Sequence, residues 1–378
     1  MMLKIIATIL FYFGYGSYYI LLRPRFVDLG ASYFQILLID SLPAFVALTS
    51  VFWGRLADVI SRKLFLLLSS LGGIFVLLLG FSNQIYTLLF FLLLLSVFAS
   101  IAIPVINSMF SYSEDTERTF ALYLLAEALG WTLSGSIMGY FSKDPGLFKL
   151  GYIISGIAWT IGIIVFYQIY TDNLNFGSPS TSLFKVHFER GLIFLAVGTF
   201  FLEFGIVTSY GILSVKLYEV LGKSKFLYGI VWASIPAFLS ALVSKFYGEV
   251  VKKLTPWRSL VLLSAAYFVN IAILALAKGY LMAFFWILPL WNFMYIALYS
   301  AVTRLSRENE RATAFGFLNS TLNFAVFLSA LSGILADKFG RLSSVVLGLV
   351  SILVSLVIFA KLNANVFRDY SKYVLPQN

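Results

Sequence analysis

The sequence has no cysteine, a single histidine (His187) and only 12% charged residues in 378. Each shortage removes a class of function. Without cysteine there is no disulfide, no thiol nucleophile and no thiolate metal site. One histidine cannot supply an imidazole pair, and no Gly-x-Ser-x-Gly turn is present, so a membrane-embedded transferase lacks its acid–base or nucleophile set. No metal and no cofactor is expected; a proton is the only coupling ion considered. A soluble chain carries about 25% charged residues. This one also lacks any sizeable polar stretch of the kind a signalling domain would need, which argues against a sensor.

What the chain has instead is apolar length. It is 60% hydrophobic, with a mean hydropathy of +0.92. So much apolar surface cannot be hidden inside a water-soluble domain, and the chain reads as an integral membrane protein. A spanning helix needs about 20 apolar residues, and twelve such runs are expected, over 3–22, 33–53, 64–82, 86–110, 118–141, 148–170, 190–216, 225–246, 258–277, 281–303, 312–336 and 342–361. A β-barrel does not fit, since its strands alternate and run about ten residues. The first run is as long as the later ones and is followed by no small-residue cleavage site, so no cleavable signal peptide is expected.

The net charge of +10 does not point to nucleic acid, because no basic patch is interleaved with stacking aromatics on a soluble domain. The basic residues fall in the connections. Placing the N-terminus inside puts 17 Lys and Arg on the inner side and 10 on the outer. That bias predicts a multi-pass protein of the plasma membrane, in contact with lipid, with both termini cytoplasmic.

The two halves of the sequence repeat. SLPAF at 41–45 returns as SIPAF at 234–238, SEDTER at 113–118 as SRENER at 306–311, and Arg23 falls on Lys216, all at an offset of 193. SGSIMGYF at 134–141 resembles SGILADKF at 332–339 at an offset of 198. Between the halves, 171–189 is polar and rich in Ser, Asn and Gly. The expected organisation is a six-helix bundle over 1–170, a cytoplasmic linker over 171–189, a second six-helix bundle over 190–361 and a cytoplasmic tail over 362–378. Six crossings return the chain to its starting side, so the halves run parallel. Parallel halves related by an axis along the membrane normal are a transporter plan, with the substrate site at mid-membrane between them.

The stretch WGRLADVISRK, Trp53 to Lys63, concentrates charge between runs two and three. It resembles the signature of the major facilitator superfamily, roughly Gly-x-Leu-Ala-Asp-x-x-Gly-Arg-Lys. The matches are Gly54, Leu56, Ala57, Asp58, Arg62 and Lys63, with Ser61 at the second Gly and Val59 after the Asp. FYGEVVKKLTPWR in the second half is a degraded copy, with Gly248, Glu249, Lys252 and Lys253. The resemblance covers the whole chain. It implies an all-α membrane fold of 12 transmembrane helices in two pseudo-symmetric six-helix bundles, a small-molecule substrate, a monomer, and secondary active transport by alternating access. It also implies a gate in which Asp58 lies against the N-terminus of helix 11, near Ala312. Exposed N–H groups and the helix dipole favour an anion there by about 0.3–1 kcal/mol, up to ~2 when partly buried. Arg62, Arg118 or Glu114 would complete a charge relay. The plain alternative is a set of loop charges that fixes topology. Helix 5, GWTLSGSIMG, resembles the family's glycine-rich antiporter motif without its Pro, and helix 4 has no embedded Arg, Asn107 being its nearest strong polar group.

Charge inside a span costs about 2.5–3.5 kcal/mol on insertion scales and therefore faces a cavity or acts. Glu203, Glu127 and Asp40 fall inside spans and are the candidates for proton coupling; a carboxyl in low dielectric can bind and release protons near neutral pH. Tyr12, Tyr15, Tyr19 and Arg23 share one face of helix 1, suited to an amphipathic solute, or else to aromatic packing beneath a snorkelling Arg. Trp131 on helix 5, Asn292 and Tyr295 on helix 10, and Asn319 and Asn323 on helix 11 complete the candidate lining. Efflux of amphipathic compounds is favoured, with a passive uniporter or a sugar or organic-anion carrier as alternatives. His187, in the linker, has no expected role.

Overall fold

The computed structural model describes residues 2–111, 116–170, 190–305 and 311–374. The expected linker 171–189 and the sequences 112–115 and 306–310 lie outside them. Among the described residues the chain is helical and has no strand. This follows from the solvent, since backbone groups in lipid must find partners within their own segment.

Among the described residues, ten helical segments are long and apolar enough to cross a membrane. The other two expected spans are represented by the shorter apolar α2 (Tyr33–Ala47) and by α7 (Thr116–Phe141), which is long enough but made more polar by Glu127, Thr132, Ser134 and Ser136. α1 (Met2–Asp28) continues past the expected end at 22. Four expected spans are broken. Pro43 sits inside α2, which ends at Ala47 before α3 (Ser50–Val59) continues the path. α4 (Arg62–Ser69) and α5 (Gly72–Leu79) divide the third. α10 (Lys225–Gly229) widens into a π turn, Ile230–Ser234, just before Pro236 in α11 (Ile235–Leu254). α13 (Tyr280–Trp286) and α14 (Leu290–Leu305) are separated at Pro289. Proline removes a ladder donor and collides with the preceding turn, which accounts for the π turn before Pro236 and the gap at Pro289; the break in the third span, at Ser70 and Leu71, has no proline beside it. The unbroken spans are α6 (Ile85–Ser111), α8 (Pro145–Ile169), α9 (Arg190–Val220), α12 (Pro256–Leu276) and α15 (Arg311–Phe339). α16 (Arg341–Val374) remains helical past the expected end at 361.

Among the described residues two large apolar cores form, with a small third cluster of Leu37, Ile212, Ala330 and Ala336 where α2, α9 and α15 meet. One is built mainly from α1 to α8 around Phe11, Tyr18, Trp159 and Phe166, the other from α9 to α16 around Leu195, Tyr228, Leu263 and Leu298. Outward faces keep large apolar side chains such as Leu276, Leu242 and Phe284 exposed, as a lipid-facing surface requires. Small residues bring helices together: a Cβ on Gly14 would lie 2.8 Å from that of Trp159, and one on Gly72 would lie 2.7 Å from the same indole.

The repeat has a structural purpose. Ser41, from SLPAF, donates to the Val326 carbonyl of α15 at 3.0 Å. Its counterpart Ser234, from SIPAF, donates to the Thr132 carbonyl of α7 at 2.9 Å. Each serine ties its own half to the other.

The odd-numbered connections between spans gather at one end of the bundle. There Asp28 meets Lys225 at 2.7 Å and Tyr218 at 3.1 Å, Arg25 reaches Asn83 at 3.0 Å, Lys143 lies 4.3 Å from the Phe226 ring, and Asp337 accepts from the Tyr33 and Phe34 amides at 2.8 and 3.2 Å. At the opposite end, Lys4 donates to the Met109 carbonyl at 2.8 Å.

Candidate functional site

The site grows from the inward face of α1. Period-3.6 spacing puts Tyr12, Tyr15 and Tyr19 in line, and α7 supplies Trp131 beside them. Tyr15 and Tyr19 meet the Trp131 ring edge-on at 5.9 and 5.8 Å, and Tyr15 also stacks on Trp159 at 6.1 Å. The Tyr12 hydroxyl shares a 2.5 Å hydrogen bond with that of Tyr123. Glu127, one turn before Trp131, is half-buried, lies within hydrogen-bonding reach of Trp131 and Tyr12, and interacts electrostatically with Tyr15, Tyr123 and Tyr299.

Arg23 does not snorkel. It is buried, and one terminal nitrogen donates to both oxygens of Asp40, at 2.6 and 2.5 Å. Tyr19 donates to the same carboxylate. The guanidinium lies 5.1 Å from the Tyr19 ring and 5.0 Å from that of Trp232, in the π turn of the other half. Asp40 is thus held as an ion-paired carboxylate. At the repeat-equivalent position, Lys216 has Ala233 where the first half has Asp40, and it donates instead to the carbonyls of Leu274 and Ala275, at 3.0 and 2.6 Å.

Glu203, on α9, is 2% exposed, and its Oε2 has no hydrogen-bond partner among the described residues. Asp40 is its charged neighbour. Tyr295, on α14, interacts electrostatically with both Glu203 and Glu127, one carboxylate from each half. Asn292 does not join this group; its amide donates to Ser244 of α11 at 2.9 Å and holds two helices of one half together. The Asn323 amide is used within its own helix, on the Asn319 carbonyl at 2.9 Å, and Asn319 is exposed. A groove of about 430 Å³ opens near them between α2, α9 and α15, lined by Leu48, Phe200, Phe317, Thr321 and Phe324.

Of the gate residues, Gly54 and Asp58 lie on α3 and Arg118 on α7, but their side chains fall outside the described ones, as does that of Asn107; Glu114 and His187 fall outside the described residues altogether. Arg62 opens α4 and is buried. Lys63 lies 5.0 Å from the Tyr167 ring. Sequence reading missed Tyr123, Trp159 and Trp232. Trp232 could have been found, since it stands two residues before the repeated SIPAF.

Paired helical halves, inter-half contacts built on a repeated motif, and a buried set of tyrosines and carboxylates between them define a polytopic membrane transporter. The chain belongs to the Major Facilitator Superfamily, whose model matches residues 5–330. Solved structures agree on the fold. A mutant of the nucleoside transporter NupG superposes with a TM-score of 0.77 at 16% identity, over 96% of this chain and 98% of that one. A POT family transporter in complex with 5-aminolevulinic acid gives 0.75 at 14% identity, over 95% of each chain. A bacterial homologue of the human lysosomal transporter Spinster, inward-facing and occupied, gives 0.74 at 16% identity, over 96% and 95%. Comparison with curated protein sequences gives no match. The protein is an integral, multi-pass membrane protein whose fold implies a small-molecule substrate, and it is not an enzyme.

Proposed function

We propose that this protein is a proton-coupled secondary transporter that exports amphipathic, neutral or cationic solutes by alternating access. The observation that carries the reading is Glu203, which is buried and, among the described residues, has no cation paired to it and no hydrogen-bond partner for its Oε2. A carboxylate in that position is costly, and taking up a proton removes the charge. Tyr295 links it to Glu127 in the other half, so protonation and the fit between halves can respond to one another.

The charge balance supports the solute class. Arg23 and Asp40 cancel, which leaves Glu127 and Glu203 as the surplus in an aromatic surround. That surround favours cations over organic anions through charge and ring faces. Asn292 and Asn323 are already engaged, which leaves less amide chemistry free for a sugar. The surplus of Lys and Arg in the inner connections supports cytoplasmic termini in the plasma membrane; the joined end at Asp28, Tyr33 and Asp337 is then outside. The working unit is a monomer that needs no cofactor beyond the proton.

A thermal-shift screen of the purified protein against a solute library names the class, because a ligand of the folded state raises its stability by mass action. The hit is then tested in proteoliposomes, where a pH gradient is expected to drive its movement and Glu203→Gln to abolish that drive. Transport that ignores the gradient and survives Glu203→Gln would make the protein a passive uniporter.

A further inference from the structure

We infer that GILADKFGR, Gly333 to Arg341, is a second and more complete copy of the Asp58 signature, and that it locks the opposite end of the bundle. Gly333, Leu335, Ala336, Asp337, Gly340 and Arg341 reproduce the spacing of Gly54, Leu56, Ala57, Asp58, Ser61 and Arg62, and the second glycine, replaced by Ser61 in the first copy, is present.

Four of these residues have a visible task. A Cβ on Gly333 would lie 2.7 Å from the Phe34 Cα and 2.8 Å from its nitrogen, so only glycine lets α15 approach the first turn of α2 so closely. Asp337 places one oxygen on the Tyr33 amide and the other on the Phe34 amide, at 2.8 and 3.2 Å. These are free donors at the positive end of α2, where an anion is favoured. Gly340 has φ of +84° and ends α15, as only glycine does without strain. Arg341 pairs with Glu219 at 2.6 Å and fixes the start of α16 against α9.

The two copies use the same two helical paths in opposite senses. The first places an aspartate at the far end of the α2–α3 path. The second places one at the end of α15 and applies it to the start of α2. Tyr33 and Asp58 are separated by a full span, roughly 35–40 Å at 1.5 Å per residue, so the aspartates serve opposite ends. Removing Asp337 should release the end that removing Asp58 leaves closed. This goes beyond the transport reading, since it holds for any solute or coupling ion.

The test uses the full chain, whose lack of cysteine allows clean spin labelling through Gln84→Cys and Lys278→Cys, exposed positions on the two halves at the Asp337 end. Electron–electron distances are expected to gain a longer population in Asp337→Ala, raising its ratio to the short one roughly two- to fivefold, the range set by an exposed carboxylate at a helix start. Asp337→Asn keeps an acceptor and should fall between, and it serves as the conservative variant should the alanine chain not fold. An unchanged distribution in a folded Asp337→Ala, or in Asp337→Asn where only that variant folds, would overturn the lock.

Discussion

Arg23 of α1 holds both carboxylate oxygens of Asp40 of α2 while its guanidinium lies 5.0 Å from the Trp232 ring of the other half. The pair is buried on both sides, and burial makes the loss of one member unlike the loss of both. Removing one partner leaves an uncompensated charge, at about 3–5 kcal/mol, whereas replacing both by apolar side chains is often neutral. Asp40→Ala is therefore expected to lower the thermal unfolding midpoint in detergent sharply, and Arg23→Met with Asp40→Leu to recover most of it. A midpoint unchanged in Asp40→Ala would show that the ion pair does not hold α1 to α2.

Glu203→Gln should leave folding intact or improve it, because a neutral amide is easier to bury than an unpaired carboxylate. The same change should abolish gradient-driven movement while leaving exchange of solute across the membrane. Proteoliposome assays with and without a pH gradient separate the two, and a mutant that still concentrates solute would rule Glu203 out as the coupling group.

Asp58→Asn is expected to favour the state open at its own end, since it weakens an anion–helix contact of about 0.3–1 kcal/mol. Spin-label distances between the two halves at that end should lengthen. Distances that stay the same would return the charged stretch to the role of fixing topology.

Gly135 marks where α7 meets the other half. A Cβ there would lie 2.6 Å from the Gly229 carbonyl oxygen and 3.1 Å from the Ala233 Cβ. Gly135→Val should push the halves apart on this side, costing about 1–3 kcal/mol of overpacking and depleting the state described here. Gly30→Val is not an equivalent control despite its open surroundings, because Gly30 has φ of +74°; Gly248, with nothing nearby, is the better one. Equal stability of Gly135→Val and Gly248→Val would mean that α7 and the π turn are not in tight contact.

Much of this was legible in the chain. Hydropathy is local, so the absence of charge and the length of the apolar runs determined the solvent, the class of fold and nearly every span. The offset of 193 determined that the halves are copies, and the Asp58 stretch pointed to the family. The tyrosine face of α1 followed from spacing alone. Helix breaks were less legible, because Pro43, Pro236 and Pro289 interrupt runs that stay apolar throughout.

Only the tertiary structure decided which candidates meet. Arg23 and Asp40 lie in different helices, and whether they pair or face lipid and water depends on how each helix is rotated, which neighbouring packing sets. Asn292 and Asn323 had the same standing as Tyr295 in the sequence, yet helix packing turned the Asn292 amide toward Ser244, the Asn323 amide closed on its own helix at Asn319, and Tyr295 interacts with carboxylates of both halves. Trp232 became part of the Arg23 site only because the second half brings it across. Composition and periodicity act along one segment; a buried pair needs two segments brought together, and that is fixed by close packing at residues such as Gly14, Gly135 and Gly333.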